Sequence, residues 1–350
     1  MRAVDLLVPG DIATLTGGYI YDRRIFSGLA HRGWKVCIHS LAESFPEPTG
    51  EALAHAARVL DSLDDGRIVV IDGLALAGLG ELLRAHRARL RLVALIHHPL
   101  AYETGLPQDR AAQLFAAERA ALELVPAVVV TSSWTKDALA DFGVSAERIA
   151  VVEPGTDPAP AAKDRAACAP PELLCVASLT ARKGHAVLFD ALGRLHDRQW
   201  HLTCAGSLER EPLLAARLAE QIDRLGLRAR VTLTGELAPQ ALGAYYARAD
   251  AFVLASYMEG YGMAFAEALA HGLPIVATSG GAIPATVPAA ASLLVPPGDA
   301  AALAGALAEI LDDAPLRARL GAAAAAAGAR LPTWNDAAER FARALVARGA

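Results

Sequence analysis

The sequence lacks the features of a membrane span, a disulfide framework and a general nucleic-acid binder. No apolar run reaches the roughly 18 to 20 residues that cross a bilayer, and the stretch after Met1 leads into a short strand without a signal peptide. The four cysteines include no Cys-x-x-Cys pair, so we expect buried thiols in a reducing cytoplasm and no zinc site. The net charge of −5 argues against a generally basic partner surface for nucleic acid.

Two further scarcities concern lysine and glycine patterning. Four lysines accompany 29 arginines, a skew that reflects coding bias. The Gly-x-Gly-x-x-Gly fingerprint of dinucleotide-binding folds is absent, which argues against a nicotinamide dehydrogenase. What the chain does have is size and apolar content: its 350 residues, 54% of them hydrophobic, suffice for two domains with large cores.

Short apolar strands alternate with helical segments in two similar halves of the chain. Strands are predicted at 3–9, 35–39, 67–71, 92–96, 127–131 and 149–152, and again at 173–177, 201–205, 230–233, 251–254 and 275–278. Four prolines within 158–171 indicate a linker. The sequence therefore predicts two doubly wound α/β domains, residues 1–157 and 172–332.

The most informative stretch runs from Tyr257 to Ala277 and follows a predicted strand. Gly260 and Gly262 let the backbone approach a ligand closely, and the helix that begins there attracts phosphate at its N-terminus. Glu259 precedes the helix, and Glu267 lies roughly 12 Å further along it at ~1.5 Å per residue. This spacing suits a ligand with phosphate at one end and hydroxyl groups beyond. The alternative is that Glu259 caps the helix and Glu267 is a solvated charge.

This stretch resembles the Glu-x7-Glu signature of family 4 glycosyltransferases, which are retaining enzymes of the GT-B fold. The resemblance includes the inner glycines and the trailing Ala-x-x-x-Gly-x-Pro run. It implies two Rossmann-like domains facing across an interdomain cleft, acceptor-binding in the first half and donor-binding in the second. It also implies that a C-terminal helix within 333–350 packs back on the first domain. In the family the counterpart of Glu259 faces the donor sugar and that of Glu267 binds the nucleotide ribose.

A second candidate phosphate site lies in Ser178–Gly184, which follows a predicted strand and opens a helix. Adjacent cations at a helix N-terminus, here Arg182 and Lys183, are unfavourable unless an anion binds there; the alternative is a solvated charge pair. In the resembled family the counterpart of Lys183 binds the donor diphosphate. A second cation usually stands five residues earlier, after a glycine, whereas this chain has Ala177 and Ser178. Either Arg182 supplies the missing charge, or Lys183 and backbone amides hold the phosphates.

Several glycine turns at strand ends complete the predicted donor site. From the residues alone, plain turns are an alternative interpretation for each of them. The resemblance implies donor contacts from these backbone segments and from one aromatic residue: Gly17, Gly18, Gly206, Gly235, Gly260, Tyr261 and Gly262.

A histidine pair, His97-His98, follows the predicted strand at 92–96. We expect no metal there because no partner has ligand spacing, and a packed histidine pair is the alternative. Members of the resembled family place a histidine next to the donor sugar and the acceptor; His97 is the better match and His98 the reserve. The family also has a serine like Ser132 lining the cleft on the acceptor side. Helix capping is the alternative role for Ser132, and Ser133 is a plausible cap.

The resemblance implies a retaining hexosyl transfer from a nucleotide-diphosphate sugar to an acceptor hydroxyl. Glu259, Lys183 and His97 are the predicted catalytic residues, and neither a metal nor another cofactor is expected. The first half contains no concentrated Lys/Arg helix, so we expect a small soluble or glycan acceptor. The alternative function, a non-catalytic nucleotide-sugar sensor or assembly subunit, is disfavoured by the intact Glu-x7-Glu pattern.

Overall fold

The computed structural model describes residues 2–159 and 170–348. The chain divides into two compact units, Met1–Gly155 with Pro332–Ala350, and Thr156–Leu331. Within the described residues each unit contains a sheet of six parallel strands. The predicted fold class, two Rossmann-like doubly wound α/β domains, is therefore confirmed. Most of the predicted linker at 158–171 lies outside the described residues.

The first unit begins with β1 and alternates strands with helices. Its strands are β1 (Ala3–Pro9), β2 (Lys35–Leu41), β3 (Ile68–Asp72), β4 (Arg91–Ile96), β5 (Ala127–Val130) and β6 (Ile149–Val151). Its helices up to this point are α1 (Gly17–His31), α2 (Gly50–Asp61), α3 (Gly73–Leu76), α4 (Gly80–His86), α5 (Gln108–Leu122) and α6 (Ser133–Ala138). The strand order is β2-β1-β3-β4-β5-β6, so the direction of winding reverses between β1 and β3.

The second unit repeats the alternation. Its strands are β7 (Glu172–Val176), β8 (His201–Ala205), β9 (Val231–Gly235), β10 (Ala251–Leu254), β11 (Ile275–Thr278) and β12 (Ser292–Val295). Its helices are α7 (His185–Leu192), α8 (Pro212–Arg224), α9 (Pro239–Arg248), α10 (Met263–Ala270), α11 (Ile283–Thr286), α12 (Ala300–Asp312) and α13 (Ala314–Gly328). The order β12-β11-β10-β7-β8-β9 places the reversal between β7 and β10. Ligands of such sheets bind where the winding reverses, at the carboxyl ends of the strands.

The chain returns to the first unit through α14 (Trp334–Arg348). Phe341 packs edge-to-face on Phe26 of α1 with ring centroids 5.8 Å apart. Gly28 lies so close to Ala338 that a Cβ at this glycine would collide with the alanine side chain. Because Phe26 and Phe341 are almost fully buried, α14 is part of the core of the first unit.

Most predicted strands agree with the structure, but two local predictions were wrong and one strand was missed. Gly17 and Gly18 do not form a turn; they open α1, and the hydroxyl of Thr16 caps that helix. The cap of α6 is Ser132 rather than Ser133. Strand β12 was not predicted, because its four residues follow an alanine-rich stretch that gives no strand period.

Candidate active site

The reversal point of the second sheet brings together the loops after β7 and β10. After β7 the chain passes through a single turn, Ala181–Lys183, to Gly184, whose φ of 67° lies in the left-handed region. A Cβ at Gly184 would collide with the carbonyl oxygen of Ala255, so glycine is required for this close approach. The backbone N–H of Tyr257 donates to the carbonyl oxygen of Arg182 at 2.8 Å and joins the two loops.

The carboxylate of Glu259 is the centre of a buried charge cluster. Lys183 Nζ donates to Oε1 at 2.6 Å, and Arg182 Nη1 donates to Oε2 at 3.3 Å. The hydroxyl of Ser256 donates to Oε1 at 2.6 Å. Burial by itself raises the pKa of Glu259, but the two cations and the hydroxyl outweigh burial and lower the pKa to about 2. At neutral pH Glu259 is therefore a carboxylate; burial lowers the pKa of Lys183, and the contact with Glu259 opposes this.

The cations are the accessible part of this cluster. The side chains of Arg182 and Lys183 are 17% and 19% exposed, whereas that of Glu259 is 6% exposed. An incoming anion would therefore meet the cations before it met the carboxylate. The interpretation of Arg182 and Lys183 as a solvated pair is wrong, because both contact Glu259. The interpretation of Glu259 as a helix cap is also wrong, because Gly262 is the N-cap of α10 and no side chain bonds there.

Glu267 lies on α10 and is hydrogen-bonded to a residue that the sequence did not single out. The phenolic O–H of Tyr246 donates to Glu267 Oε2 at 2.8 Å, and the Tyr246 ring stacks on His271 with centroids 5.0 Å apart. Burial raises the pKa of Glu267, and the Tyr246 hydrogen bond opposes this. Within the described part of the chain, the Tyr246 hydrogen bond occupies Oε2 of Glu267 and leaves Oε1 without a side-chain donor. This oxygen can therefore accept a hydrogen bond from a ligand hydroxyl.

The reversal point of the first sheet carries a different charge cluster. His97 Nε2 lies 3.2 Å from Asp22 Oδ1 and 3.5 Å from Asp72 Oδ2. Asp22 comes from α1, Asp72 ends β3, and His97 follows β4. Both carboxylates are at most 1% exposed, while the His97 side chain is 21% exposed. Here two buried carboxylates meet one imidazole ring, and the ring is the accessible group.

Comparison with known proteins identifies the family. Residues 23–160 match the protein-family model described as Glycosyltransferase Family 4. Residues 170–313 match the model described as Glycosyl transferases group 1. An MMP alpha-(1->4)-mannosyltransferase from Mycolicibacterium hassiacum is 31% identical over 79% of the chain and 69% of that protein. The chain is a family 4 glycosyltransferase.

Further similarities agree with this assignment. A GDP-mannose-dependent alpha-(1-6)-phosphatidylinositol monomannoside mannosyltransferase from Mycolicibacterium smegmatis is 30% identical over 77% of the chain and 72% of that protein. The structure of a sucrose-phosphate synthase from Thermosynechococcus elongatus superposes with a TM-score of 0.83, 24% identity and 98% coverage of both chains. The latter similarity supports the GT-B fold alone.

In this glycosyltransferase the predicted donor residues of the second unit lie at strand ends or at the start of a helix, whereas Gly17 and Gly18 open α1 of the first unit. Gly206 follows β8, where a Cβ would collide with the carbonyl oxygen of Ala177. Gly235 ends β9 with a φ of 73° and open space around it. Gly260 and Tyr261 are buried next to Glu259 in the chain, and Gly262 starts α10 with a φ of 90°. Their donor contacts stay predictions.

The departure at Ser178 has a structural counterpart in Arg182. Arg182 Nη1 donates to the carbonyl oxygen of Met258 at 2.8 Å in addition to its contact with Glu259. The guanidinium is thereby fixed on the same carboxylate as Lys183. This placement favours compensation of the missing cation by Arg182.

The residues predicted in the first unit, namely the donor residues Gly17 and Gly18 and the acceptor-side residues His98 and Ser132, have different surroundings. A Cβ at Gly18 would lie 3.2 Å from His97 Cδ2, so the glycine gives the ring its space, whereas Gly17 is the first residue of α1. His98 Nε2 lies 3.2 Å from Glu103 Oε2 and not in the Asp22–Asp72 cluster. Ser132 Oγ accepts from the N–H of Thr135 at 3.0 Å, so its capping role is real.

Sequence reasoning missed four residues of these clusters. Ser256 and Tyr246 gave no signal, because a serine in a loop and a tyrosine in an amphipathic helix are common. Asp22 and Asp72 did give one: an acid on the buried face of α1 and an acid ending an apolar strand are each unusual without a partner. The partner of both acids is His97, and the distance in sequence from Asp22 or Asp72 to His97 does not indicate this contact.

One buried cluster lies apart from these sites. Cys175 and Cys204 are register partners in β7 and β8, and Cys175 Sγ lies 3.7 Å from His185 Nε2. Their ligand atoms all lie within 4.8 Å of one another. The expectation of no zinc site considered only sequence spacing and did not anticipate this proximity; all three residues are buried in the core.

Among the described helices, none is both long and apolar enough to cross a membrane.

Proposed function

We propose that this glycosyltransferase moves a hexosyl group from a nucleotide-diphosphate sugar to an acceptor hydroxyl with retention of anomeric configuration. In the reaction the bond between the anomeric carbon and the diphosphate oxygen breaks. The acceptor oxygen bonds to the same face of that carbon, and the acceptor proton goes to the departing phosphate. No protein nucleophile is required by this course, and none of the predicted site residues has to serve as one.

The observation that carries the proposal is the cluster around Glu259 at the second reversal point. A departing diphosphate gains negative charge, and positively charged groups fixed in advance stabilise that charge. Lys183 and Arg182 are fixed in advance, because Glu259 holds both at 2.6 and 3.3 Å. The carboxylate itself has both oxygens occupied, so its role in this arrangement is to orient the cations. A divalent metal is not required for charge neutralisation under this scheme.

The nucleotide is proposed to extend from these cations along α10. In this proposal Oε1 of Glu267 accepts a hydrogen bond from a ribose hydroxyl, while Tyr246 fixes the other oxygen. Backbone groups at Gly206 and Gly235 then lie at the neighbouring strand ends, where base and ribose contacts are predicted.

We propose GDP-mannose as the donor, because two relatives that match more than three quarters of the chain are mannosyltransferases and one is named GDP-mannose-dependent. The acceptor is proposed to be a small molecule or glycan, and the site of action the cytoplasm. The acceptor proposal is supported by the sequence, because the first half has no concentrated Lys/Arg helix. The cytoplasmic proposal is supported by the described cysteines, which are free thiols.

The proposal is tested by incubating the protein with GDP-mannose, UDP-glucose and ADP-glucose in the presence of EDTA, with and without candidate saccharide acceptors. Release of nucleoside diphosphate measures turnover, and proton NMR of the product measures the anomeric configuration. We expect turnover of GDP-mannose in EDTA and an α-linked product. Binding of donors without any turnover would favour the sensor, and a β-linked product would contradict retention.

A further inference from the structure

The cluster of Asp22, Asp72 and His97 contains buried polar atoms that the proposed reaction leaves unexplained. Within the described residues, neither oxygen of Asp22, nor Asp72 Oδ2, nor His97 Nε2 makes a well-directed hydrogen bond. Asp72 Oδ1, by contrast, accepts from the N–H of Leu74 at 2.8 Å. Buried carboxylates without hydrogen bonds are costly unless an opposite charge compensates them. The ring of His97 is the adjacent group that can supply that charge.

We propose that Asp22 and Asp72 are positioning residues that hold His97 as an imidazolium cation, with Nε2 enclosed between their carboxylates and Nδ1–H presented to a sugar hydroxyl of the substrate. The inference rests on the proposed transfer function for the identity of the substrate group only. The charge state of the ring is a property of the protein alone.

The geometry around the ring fixes which nitrogen faces the substrate. Both carboxylate contacts involve Nε2, and Tyr21 packs edge-on against the ring with centroids 5.4 Å apart. Within the described part of the chain, Nδ1 contacts no hydrogen-bonding group and is not among the buried atoms. Gly18 borders the ring at Cδ2. Nδ1 is therefore the side on which the 21% exposed ring reaches solvent.

The chemistry of the ring follows from its charge. A neutral imidazole has one lone pair and can accept a proton, whereas an imidazolium donates from both nitrogens and accepts from neither. His97 is thus excluded as the base for the acceptor hydroxyl, in agreement with transfer of that proton to the departing phosphate. The cluster as a whole has two carboxylates and one cation. Its net charge repels a phosphate, so the group that Nδ1–H meets is a neutral hydroxyl oxygen.

The charged and titratable groups around His97 act in one direction. Burial lowers the pKa of His97, but Asp22 and Asp72 outweigh burial and raise the pKa to about 10. Burial raises the pKa of Asp22 to about 6, with a further contribution from Asp72 and opposition from His97. At neutral pH both shifts favour a protonated His97 ring beside an ionised Asp22.

The other neighbours that bear on this balance are few. Arg23 on α1 lowers the pKa of Asp22. The hydroxyls of Thr131 and Thr135 donate to the His97 carbonyl oxygen. The aromatic rings of Trp334 and Phe341 on α14 pack against Tyr21.

The decisive experiment is a pH titration of the histidine rings by long-range proton–nitrogen NMR, with no substrate present and with His97→Gln used to assign the signal. We expect the His97 ring to keep both nitrogens protonated up to at least pH 9. A wild-type His97 that titrates near the ordinary value of about 6.5 would overturn the inference. So would a ring nitrogen signal that shifts on addition of a chelator, because it would place a divalent cation, rather than a proton, between the carboxylates.

Two isosteric variants and a matched control assign the effect to the carboxylates. Asp22→Asn and Asp72→Asn should each lower the His97 pKa by about 1–3 units, the range for loss of one close opposite charge. Glu103→Gln removes the equivalent carboxylate from His98 and should leave the His97 titration unchanged. Variants that titrate like wild type would show that the carboxylates do not hold the charge.

Activity gives an independent readout. At pH 9 the Asp22→Asn and Asp72→Asn enzymes should have kcat about two-fold below wild type if the His97 pKa falls by one unit and about 100-fold below if it falls by three, and acidification to pH 6.5 should restore most of it. A merely structural role predicts the same relative loss at both values. Because the titration needs no substrate, failure of the transfer proposal and failure of this inference are separately visible.

Discussion

The two reversal points have the same topology and opposite charge. In the second unit one carboxylate, Glu259, holds two cations; in the first unit two carboxylates hold one cation, His97. In both cases the cationic side chains are the more exposed members. The two points therefore share a topology that suits ligand binding, and they differ in the number of acids. An excess of positive charge suits a diphosphate, and an excess of negative charge suits uncharged hydroxyl groups.

The largest effect is expected when a cation is removed from the second unit. Lys183→Ala should lower kcat/KM by about 10²- to 10³-fold, the range for loss of one group that stabilises transition-state charge. Lys35, exposed on β2 of the other unit, provides the control Lys35→Ala with wild-type kinetics expected. Melting temperatures must accompany the assay, because Glu259 loses a partner. Near-wild-type kinetics in a folded Lys183→Ala protein would remove Lys183 from the reaction.

The corresponding change in the first unit is His97→Ala. It should reduce transfer by about 10²-fold while the affinity for nucleoside diphosphate, measured by calorimetry, stays at the wild-type value. The nucleotide contacts proposed above all lie in the other unit, which is the physical reason for the separation. His98→Ala should be milder, since His98 pairs with Glu103 outside the cluster. Loss of activity only in step with loss of fold would assign both rings to packing.

Glu267→Ala tests the ligand side of the second unit without touching its charge cluster. The free energy of donor binding should weaken by about 1.5–3 kcal/mol, the value of a hydrogen bond to a charged group. Glu220→Ala on the exposed face of α8 is the matched control, with donor affinity unchanged. Isothermal titration with GDP-mannose measures both. Equal affinities of the Glu267 variant and wild type would exclude Glu267 from the ribose site.

Arg182→Ala sharpens the question of the missing cation at Ser178. A loss of kcat/KM by about ten-fold is expected, smaller than for Lys183 because the contact of Arg182 with Glu259 is longer, 3.3 against 2.6 Å. Steady-state kinetics at one ionic strength compares the two variants. Wild-type behaviour would mean that backbone amides, rather than Arg182, compensate for Ser178.

The smallest expected effect belongs to Tyr246→Phe. This change removes the hydrogen bond to Glu267 Oε2 and keeps the ring that stacks on His271. The free energy of donor binding should weaken by about 0.5–1.5 kcal/mol, the net value of one hydrogen bond. Calorimetry on the double variant Glu267→Ala/Tyr246→Phe completes the double-mutant cycle. If Tyr246→Phe still weakens donor binding when Glu267 is absent, then Tyr246 does not act through this carboxylate.

What could be predicted from the sequence was local in the chain. The Glu259–Glu267 spacing, the Arg182–Lys183 pair and strands such as Ala251–Leu254 are short patterns, and the structure contains them where they were expected. Contacts that depend on strand order could not be predicted. Nothing in the spacing of Asp22, Asp72 and His97 indicates that α1, β3 and β4 end at one point, because the reversal of winding is a property of the whole sheet.

Local errors had a local cause. Gly17 and Gly18 were interpreted as a turn because glycine disfavours helix interiors, yet the first helical turn tolerates it and Thr16 supplies the cap. For Ser132 and Ser133, both residues satisfy the composition of a cap, and only the backbone shows which hydroxyl faces the free N–H groups. In each case the residue type was informative and its exact place in the helix was not.

The packing of α14 against α1 has a consequence for how the protein is made. The first unit is interrupted by the whole of the second, and α14 leaves the ribosome after both sheets have been synthesised. Until then Phe26 lacks the ring of Phe341 that covers it. The residues of the second unit are thus all synthesised before α14, whereas the first unit lacks part of its core until α14 has been made. A nascent chain that stops before α14 leaves Phe26 uncovered by Phe341 and presents an unfinished apolar surface to chaperones.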